Sequence, residues 1–163
     1  MDLFADNQII LKPLDKENAT ELFPLFMADI EELSRWFPFD ESYTVENDYA
    51  YVDEKTPPYD ETFVVFYQNN PCGRIGIYDY NEATGEIYIY YWIATKYRKR
   101  HIGARSIREV LDYLMTIGIK SVLFDVKKDN HGSIALIRAL ENITIVSEDS
   151  KTYIYAYTPE QNC

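Results

Sequence analysis

Residues 86 to 126 constrain the fold more than any other part of the chain. Glu86-Ile87-Tyr88-Ile89-Tyr90-Tyr91-Trp92-Ile93 has the aromatic and β-branched content of a strand. Ile107, Val110, Leu111 and Leu114 then fall at i, i+3, i+4 and i+7, the stripe of an amphipathic helix, and Gly118 supplies its stop. Lys120 to Val126 reads as a further strand. Strand, helix and strand in succession require a crossover, which lays the two strands parallel. Upstream, Thr62–Tyr67 and Gly73–Tyr80 are strands bounded by turns at Gln68–Pro71 and Asn81–Gly85, so they join Glu86–Ile93 in an antiparallel meander. The expected class is α/β of a mixed, α+β-like kind: a central, mostly antiparallel sheet with one parallel strand pair, flanked by helices.

The remaining segments fit around that sheet. Gln8–Lys12 reads as a short first strand ended by Pro13. Asp15 or Asn18 can cap a helix carrying Leu22, Leu25 and Phe26 on one face, with Pro24 expected to kink or shorten it. Ser34–Phe39 reads as a packed aromatic loop, and Thr44 opens a second helix that runs to about Glu54, before Thr56-Pro57-Pro58 breaks it. Asp129-Asn130-His131-Gly132 leads into a later helix with Ile134, Ile137 and either Leu140 or Ala135 inward. Ile143–Ser147 and Thr152–Thr158 form a closing hairpin. With 163 residues, no repeat and no linker-like tract, one domain spanning 1–163 is expected. No apolar run reaches the roughly 20 residues of a membrane span, and no leader pattern stands at the N-terminus. Two distant cysteines, Cys72 and Cys163, argue against a disulfide framework, so the cytoplasm is the expected compartment. No metal site is expected.

Charge is distributed unevenly. The chain has a formal net charge of −11. Eleven carboxylates lie between Ala28 and Glu61, opposed only by Arg35 and Lys55. Such a segment reads either as a solvated surface or as a field drawing in a cationic substrate. Lys96 to Arg108, by contrast, holds six of the sixteen Lys and Arg. This basic stretch joins a strand to a helix. Backbone N–H groups in a first helical turn lack intrahelical partners, and the helix dipole adds partial positive charge there, so an anion is favoured. Gly103 lets the backbone approach a ligand closely. Arg98 to Ser106 therefore reads as a cradle for a pyrophosphate. A solvated helix start and a nucleic-acid patch are the competing readings. Cations at a helix start are costly without an anion, and the overall negative charge opposes nucleic-acid binding.

Tyr91-Trp92-Ile93-Ala94-Thr95-Lys96-Tyr97-Arg98-Lys99-Arg100-His101-Ile102-Gly103 resembles motif A of the GNAT acyltransferases, with Arg98, His101 and Gly103 at the motif positions. Asn130-His131-Gly132-Ser133 resembles the Asn-x-x-Ser that opens the last helix of the ribosomal-protein N-terminal acetyltransferases of the RimJ/RimL type. Leu11–Leu14, Leu33–Phe39 and Cys72–Tyr78 stand in the order in which that family places similar segments, so the resemblance spans nearly the whole chain. The chain departs from the pattern at four places. His101 replaces a glycine, Tyr88 stands where a Glu is frequent, Ile137 stands where many members have a tyrosine, and Glu141-Asn142 replaces a Gly-Phe.

The resemblance implies acetyl-coenzyme A as donor and a primary amine as acceptor, reacting directly. Backbone amides of His101, Ile102, Gly103, Ala104, Arg105 and Ser106 are expected on the pyrophosphate, assisted by Arg98, Arg100 and Arg105. Main chain near Trp92, Ile93 and Ala94 is expected to pair with the pantetheine amides. Asn130 is read as a further cofactor contact. Glu86 and Glu148 are the candidate bases. Ser133, with Tyr88 or Tyr90 behind it, is the candidate proton donor to the departing thiolate. Arg35, Trp36 and Phe37 are expected to shape the acceptor site. A basic protein N-terminus or a polyamine suits the acidic first third of the chain; nucleic acid and membrane are not expected as partners, and exposed tyrosines allow a homodimer. An acyl-CoA-binding module without catalysis is the alternative.

Overall fold

In the computed structural model, which describes residues 1–160, the 3.6-residue stripe becomes α4 (Ile102–Thr116). Ile107, Val110, Leu111 and Leu114 are all buried on it. Each such burial contributes about 1.5–3 kcal/mol before entropy is counted. The strands on either side of α4 are β5 (Glu86–Ile93) and β6 (Ser121–Lys127), and they are parallel, as the crossover requires.

Before them come β1 (Leu3–Phe4), β2 (Ile9–Pro13), α1 (Lys16–Ala28), α2 (Ile30–Trp36), α3 (Val45–Glu54), β3 (Glu61–Tyr67) and β4 (Asn70–Asn81). After them come α5 (His131–Arg138), β7 (Ile143–Glu148) and β8 (Thr152–Tyr157). One eight-stranded sheet results, in the order β1-β2-β3-β4-β5-β6-β8-β7, and β5–β6 is its parallel pair among antiparallel neighbours. Helices α4 and α5 cover one face, where Ile75, Ile77, Ile87, Ile89, Val122, Phe124 and Val126 join the α4 stripe in the larger core. Helices α1 to α3 cover the other, around Leu22, Phe26, Leu33, Val64, Phe66 and Trp92.

Three expectations change. Pro24 neither kinks α1 to an end nor shortens it: the helix runs on to Ala28, because Leu22 and Phe26 on either side of it are fully buried and hold it in place. Ser34–Trp36 belong to α2, not to a loop, since Leu33 anchors that short helix in the second core. A two-residue first strand, Leu3–Phe4, was not foreseen; it pairs with Ile10 and Leu11.

A buried ion pair ties the second core together. The Arg74 guanidinium on β4 donates through both terminal nitrogens to the two Asp48 carboxylate oxygens, each at 3.1 Å, and lies over the Phe26 ring at 4.7 Å. The Tyr43 hydroxyl also donates to Asp48. Both partners are almost wholly buried. Thus one of the eleven carboxylates counted in the sequence as part of an acidic field is instead a core residue. Asp29, Glu32, Asp53 and Glu61 likewise have internal cationic partners.

Candidate active site

The parallel pairing of β5 with β6 lasts for three residues only: Glu86 with Ser121, Ile87 with Val122, and Tyr88 with Leu123. Beyond Tyr88 and Leu123 the strands part, and a cavity of about 420 Å³ opens between them. Ile89 to Trp92 form one wall and Phe124 to Lys127 the other; α2 and α5 contribute at its two sides.

The backbone of β5 faces this opening in a regular pattern. The Ala94 N–H donates to the Cys72 carbonyl on β4 at 2.8 Å. The β4–β5 register is unbroken from Gly73–Ile93 to Tyr78–Tyr88. Amides alternate in direction along an antiparallel ladder, so those of Trp92 and Tyr90 also turn to β4, whereas those of Ile89, Tyr91 and Ile93 turn to the side that β6 has vacated. Of the three main-chain contacts expected at Trp92, Ile93 and Ala94, Ile93 alone faces the opening, joined by Tyr91. The Trp92 ring is packed in the second core, and its Nε1–H donates to Asp29 at 3.2 Å.

The basic loop ends where α4 begins, with Gly103 beside Ile93 of β5 and Leu136 of the cavity lining. His101 is the N-cap of α4, in a left-handed conformation with φ of 58°, and its side chain makes no capping bond. Glycine takes that conformation freely, whereas a histidine bears about 1–3 kcal/mol of strain, which explains in backbone terms why the motif has a glycine there. The first α4 amide to bond back is that of Arg105, to the His101 carbonyl at 3.1 Å. The N–H groups of Ile102, Gly103 and Ala104 have no protein acceptor among the described residues. A Cβ on Gly103 would come within 3.2 Å of Leu136 Cδ1 and 3.6 Å of Ile93 Cγ1, narrowing the space between α4, β5 and α5.

Not all the cations serve this helix start. Arg98 turns inward. Its Nε–H donates to the Ile93 carbonyl at 3.0 Å, and its Nη1 to both Glu32 oxygens at 2.9 and 3.1 Å. Arg105 donates to Asp6 and Gln8, each at 2.9 Å, and to the Arg100 carbonyl at 3.2 Å, bracing the loop from behind. Ser106 is fully buried one turn inside α4. Arg100 is exposed, against the rings of Tyr67 and Tyr97, and Lys99 and His101 are exposed beside it. Among the described residues Lys96, Lys99, Arg100 and Arg108 make no ion pair; Lys99 and Arg100 immediately precede the start of α4, and Arg98 and Arg105 brace the loop.

On the α5 side, the Tyr91 and Ser133 hydroxyls are 2.6 Å apart, and both residues line the cavity. Burial pushes the Tyr91 phenol up to about 12, against the bond to Ser133, which lowers it. Asn130 caps α5, accepting from the Ser133 N–H at 3.3 Å, and also lines the cavity. Trp36 and Phe37 line the opposite side, with Phe37 5.8 Å from Tyr90. Arg35 is exposed and outside the lining; its carbonyl accepts from Lys127 Nζ at 2.7 Å. The expected bases are not brought to this place. Glu86 is at the first residue of β5, on the paired side of the parting, and Glu148 is on the edge strand β7, held by Lys128 at 2.6 Å. Tyr88, stacked on Tyr78 at 5.6 Å, also lies outside the lining. Tyr91 and Asp125, both in the lining, were missed: in sequence they are ordinary strand residues, and only the parting of the strands exposes them to a ligand. Among the described residues no cluster of His, Cys, Asp and Glu is placed to hold a metal, and no helix is long and apolar enough to cross a membrane.

An α/β sheet opened between parallel strands, with unpaired amides at the start of the crossover helix, is the architecture of an acyl-CoA-dependent transferase. The model of the acetyltransferase (GNAT) domain matches residues 8–141, and the chain belongs to that family. Its fold is similar to that of RimL, the ribosomal L7/L12 alpha-N-protein acetyltransferase, in its apo form (TM-score 0.87, 17% identity, 98% of this chain and 94% of the other covered). It is similar also to RimL in complex with coenzyme A (0.84, 17%, 97% and 98%). The microcin C7 self-immunity acetyltransferase MccE, in complex with acetyl-CoA and AMP, aligns with a TM-score of 0.79 at 15% identity over 95% and 94%. No curated protein matches the chain in sequence.

Proposed function

We propose that the protein is an N-acetyltransferase that passes an acetyl group from acetyl-CoA directly to a primary amine, either a protein N-terminal α-amine or a small cationic amine. The observation that carries this reading is the parting of β5 from β6 after Tyr88 and Leu123, with the acceptor-free amides of Ile102, Gly103 and Ala104 at the start of α4, where Gly103 lies beside Ile93 and the cavity-lining Leu136. These groups fit a CoA thioester, which would supply the activated acyl carbon. The α4 amides, with Lys99 and Arg100, would hold the pyrophosphate. The Ile93 and Tyr91 amides would pair with the pantetheine arm and polarise the thioester carbonyl, an electrostatic contribution of about 3–4 kcal/mol per donor in other acyl-transfer sites.

With a CoA thioester bound, the acceptor ammonium would lose a proton to the solvent of the cleft, and the lone pair so freed would form the new N–C bond as the C–S bond breaks. Ser133 gives its hydroxyl proton to the departing sulfur, and Tyr91 returns one to Ser133 across their 2.6 Å contact. The proton released by the amine restores the balance through the solvent of the cleft. Tyr91 stays protonated at neutral pH because burial holds its phenol near 12, so it is always able to donate.

The test is a melting-temperature measurement with coenzyme A, followed by thiol release from acetyl-CoA over a panel of amines. A rise in melting temperature together with amine-dependent thiol release is expected. A rise without release would leave the binding-module reading. No rise would remove both.

A further inference from the structure

The face of the opening that looks toward α1 and α2 has a carboxylate that makes no ion pair among the described residues. In a parallel pair, Cα partners share a face. Tyr88 pairs with Leu123, so continuing the count places Asp125 level with Tyr90, on the same face and across the parted strands from it. Asp125 is exposed and lines the cavity, and among the described residues its carboxylate has neither a hydrogen bond nor an ion pair.

Of the other charged groups of the lining, Glu32 and Arg98 pair with each other, whereas the Lys127 ammonium makes no ion pair among the described residues. Glu32 is held by Arg98 at 2.9 Å, and Lys127 donates to the Arg35 carbonyl at 2.7 Å. Asp125 therefore carries the unmatched negative charge of the lining. Its surroundings are aromatic: Tyr78 and Tyr90 have ring centroids 6.1 Å apart, and Phe37 packs against Tyr90 at 5.8 Å. Burial, and then the charges of Asp125 and Asp79, push the Tyr78 phenol up to about 12, so this ring stays neutral near neutrality and adds no charge of its own. An anion beside aromatic faces is a receptor for an ammonium group.

Resting on the transferase reading above, we propose that Asp125 binds the acceptor's ammonium group and holds its nitrogen level with Tyr90, where loss of one proton to the solvent of the cleft frees the lone pair that faces the acyl carbon. The acceptor it selects is an alkylammonium with no carboxylate beside the nitrogen, as in a peptide N-terminus or a polyamine. A free amino acid is disfavoured, because its carboxylate would lie next to that of Asp125, and the Lys127 ammonium is drawn off to the Arg35 carbonyl.

L-alaninamide and L-alanine form a matched probe pair that differs in the carboxylate, with spermidine and hexylamine as further acceptors. With the wild-type protein, thiol release is expected to favour alaninamide over alanine by at least tenfold. Asp125→Asn, nearly isosteric at an exposed position, is expected to raise KM for alaninamide about tenfold or more and to narrow the alaninamide-to-alanine ratio. The KM for acetyl-CoA and the melting-temperature rise with coenzyme A should not change. A loss of fold would move all of these together; only a recognition role changes the selectivity ratio. Thiol release in the wild type with unchanged KM and ratio in Asp125→Asn would overturn this inference alone. Absence of release with all four amines would overturn the transferase reading, and this inference with it.

Discussion

The Tyr91 and Ser133 hydroxyls meet at 2.6 Å across the gap between β5 and α5, joining a strand residue to the first turn of a helix 42 positions later. Tyr91 is the partner that sequence reading did not supply. Ser133→Ala is expected to lower kcat by about 10²-fold or more, the lower range for loss of a positioned proton donor, with coenzyme A binding retained. Tyr91→Phe should lower it less, since Ser133 can exchange its proton with water. Single-turnover thiol release with either variant checks this order.

The braces and the free cations should respond differently. Arg100→Ala is expected to weaken coenzyme A binding by about tenfold, roughly 1.4 kcal/mol, and to flatten its dependence on salt. Arg98→Ala should affect the donor less and the acceptor more, because Arg98 links Glu32 on α2 to the Ile93 carbonyl. Titration calorimetry with coenzyme A at two salt concentrations separates the two.

Asp48→Ala leaves the Arg74 guanidinium buried without its partner. The expected destabilisation is about 3–5 kcal/mol, read from urea denaturation. Removing both charges, as in Asp48→Leu combined with Arg74→Met, should restore much of it, since the pair then no longer has to be desolvated.

Alkaline stability follows from the buried phenols. Tyr78 and Tyr91 have pKa values raised to about 12 in the fold, burial being the first cause of each. In the unfolded chain a tyrosine ionises near ~10. Below pH ~10 both states are protonated and the stabilisation is complete; between ~10 and ~12 the unfolded chain loses protons that the folded one keeps, so stability falls with rising pH. Tyr91 alone should contribute a slope on the order of 1.4 kcal/mol per pH unit. Tyr91→Phe should reduce the slope by up to that amount in denaturant titrations spanning pH ~10 to ~12.

What could be read from the sequence was local. The α4 stripe, the strands beside it and the basic loop at Gly103 depend on periodicity and on near neighbours, and they lie where expected. The partners of Arg98 and Arg105 could not be read, because Glu32 and Asp6 are 66 and 99 positions away. Nor could the role of Asp125. A strand residue shows its charge in the sequence, but not that the neighbouring strand has moved off and left it facing a cavity. Glu86 and Glu148 are carboxylates near the right elements, but neither is in the lining of the opening: one is at the paired end of β5, the other on the outermost strand.

The short seam between β5 and β6 has a mechanical consequence. Three residue pairs fasten the left and right parts of the sheet, and past them the amides of Tyr91 and Ile93 have no rung to complete. A molecule that threads this slot and offers its own amide groups finishes the ladder, and becomes a load-carrying splice between two panels that the polypeptide leaves only partly stitched.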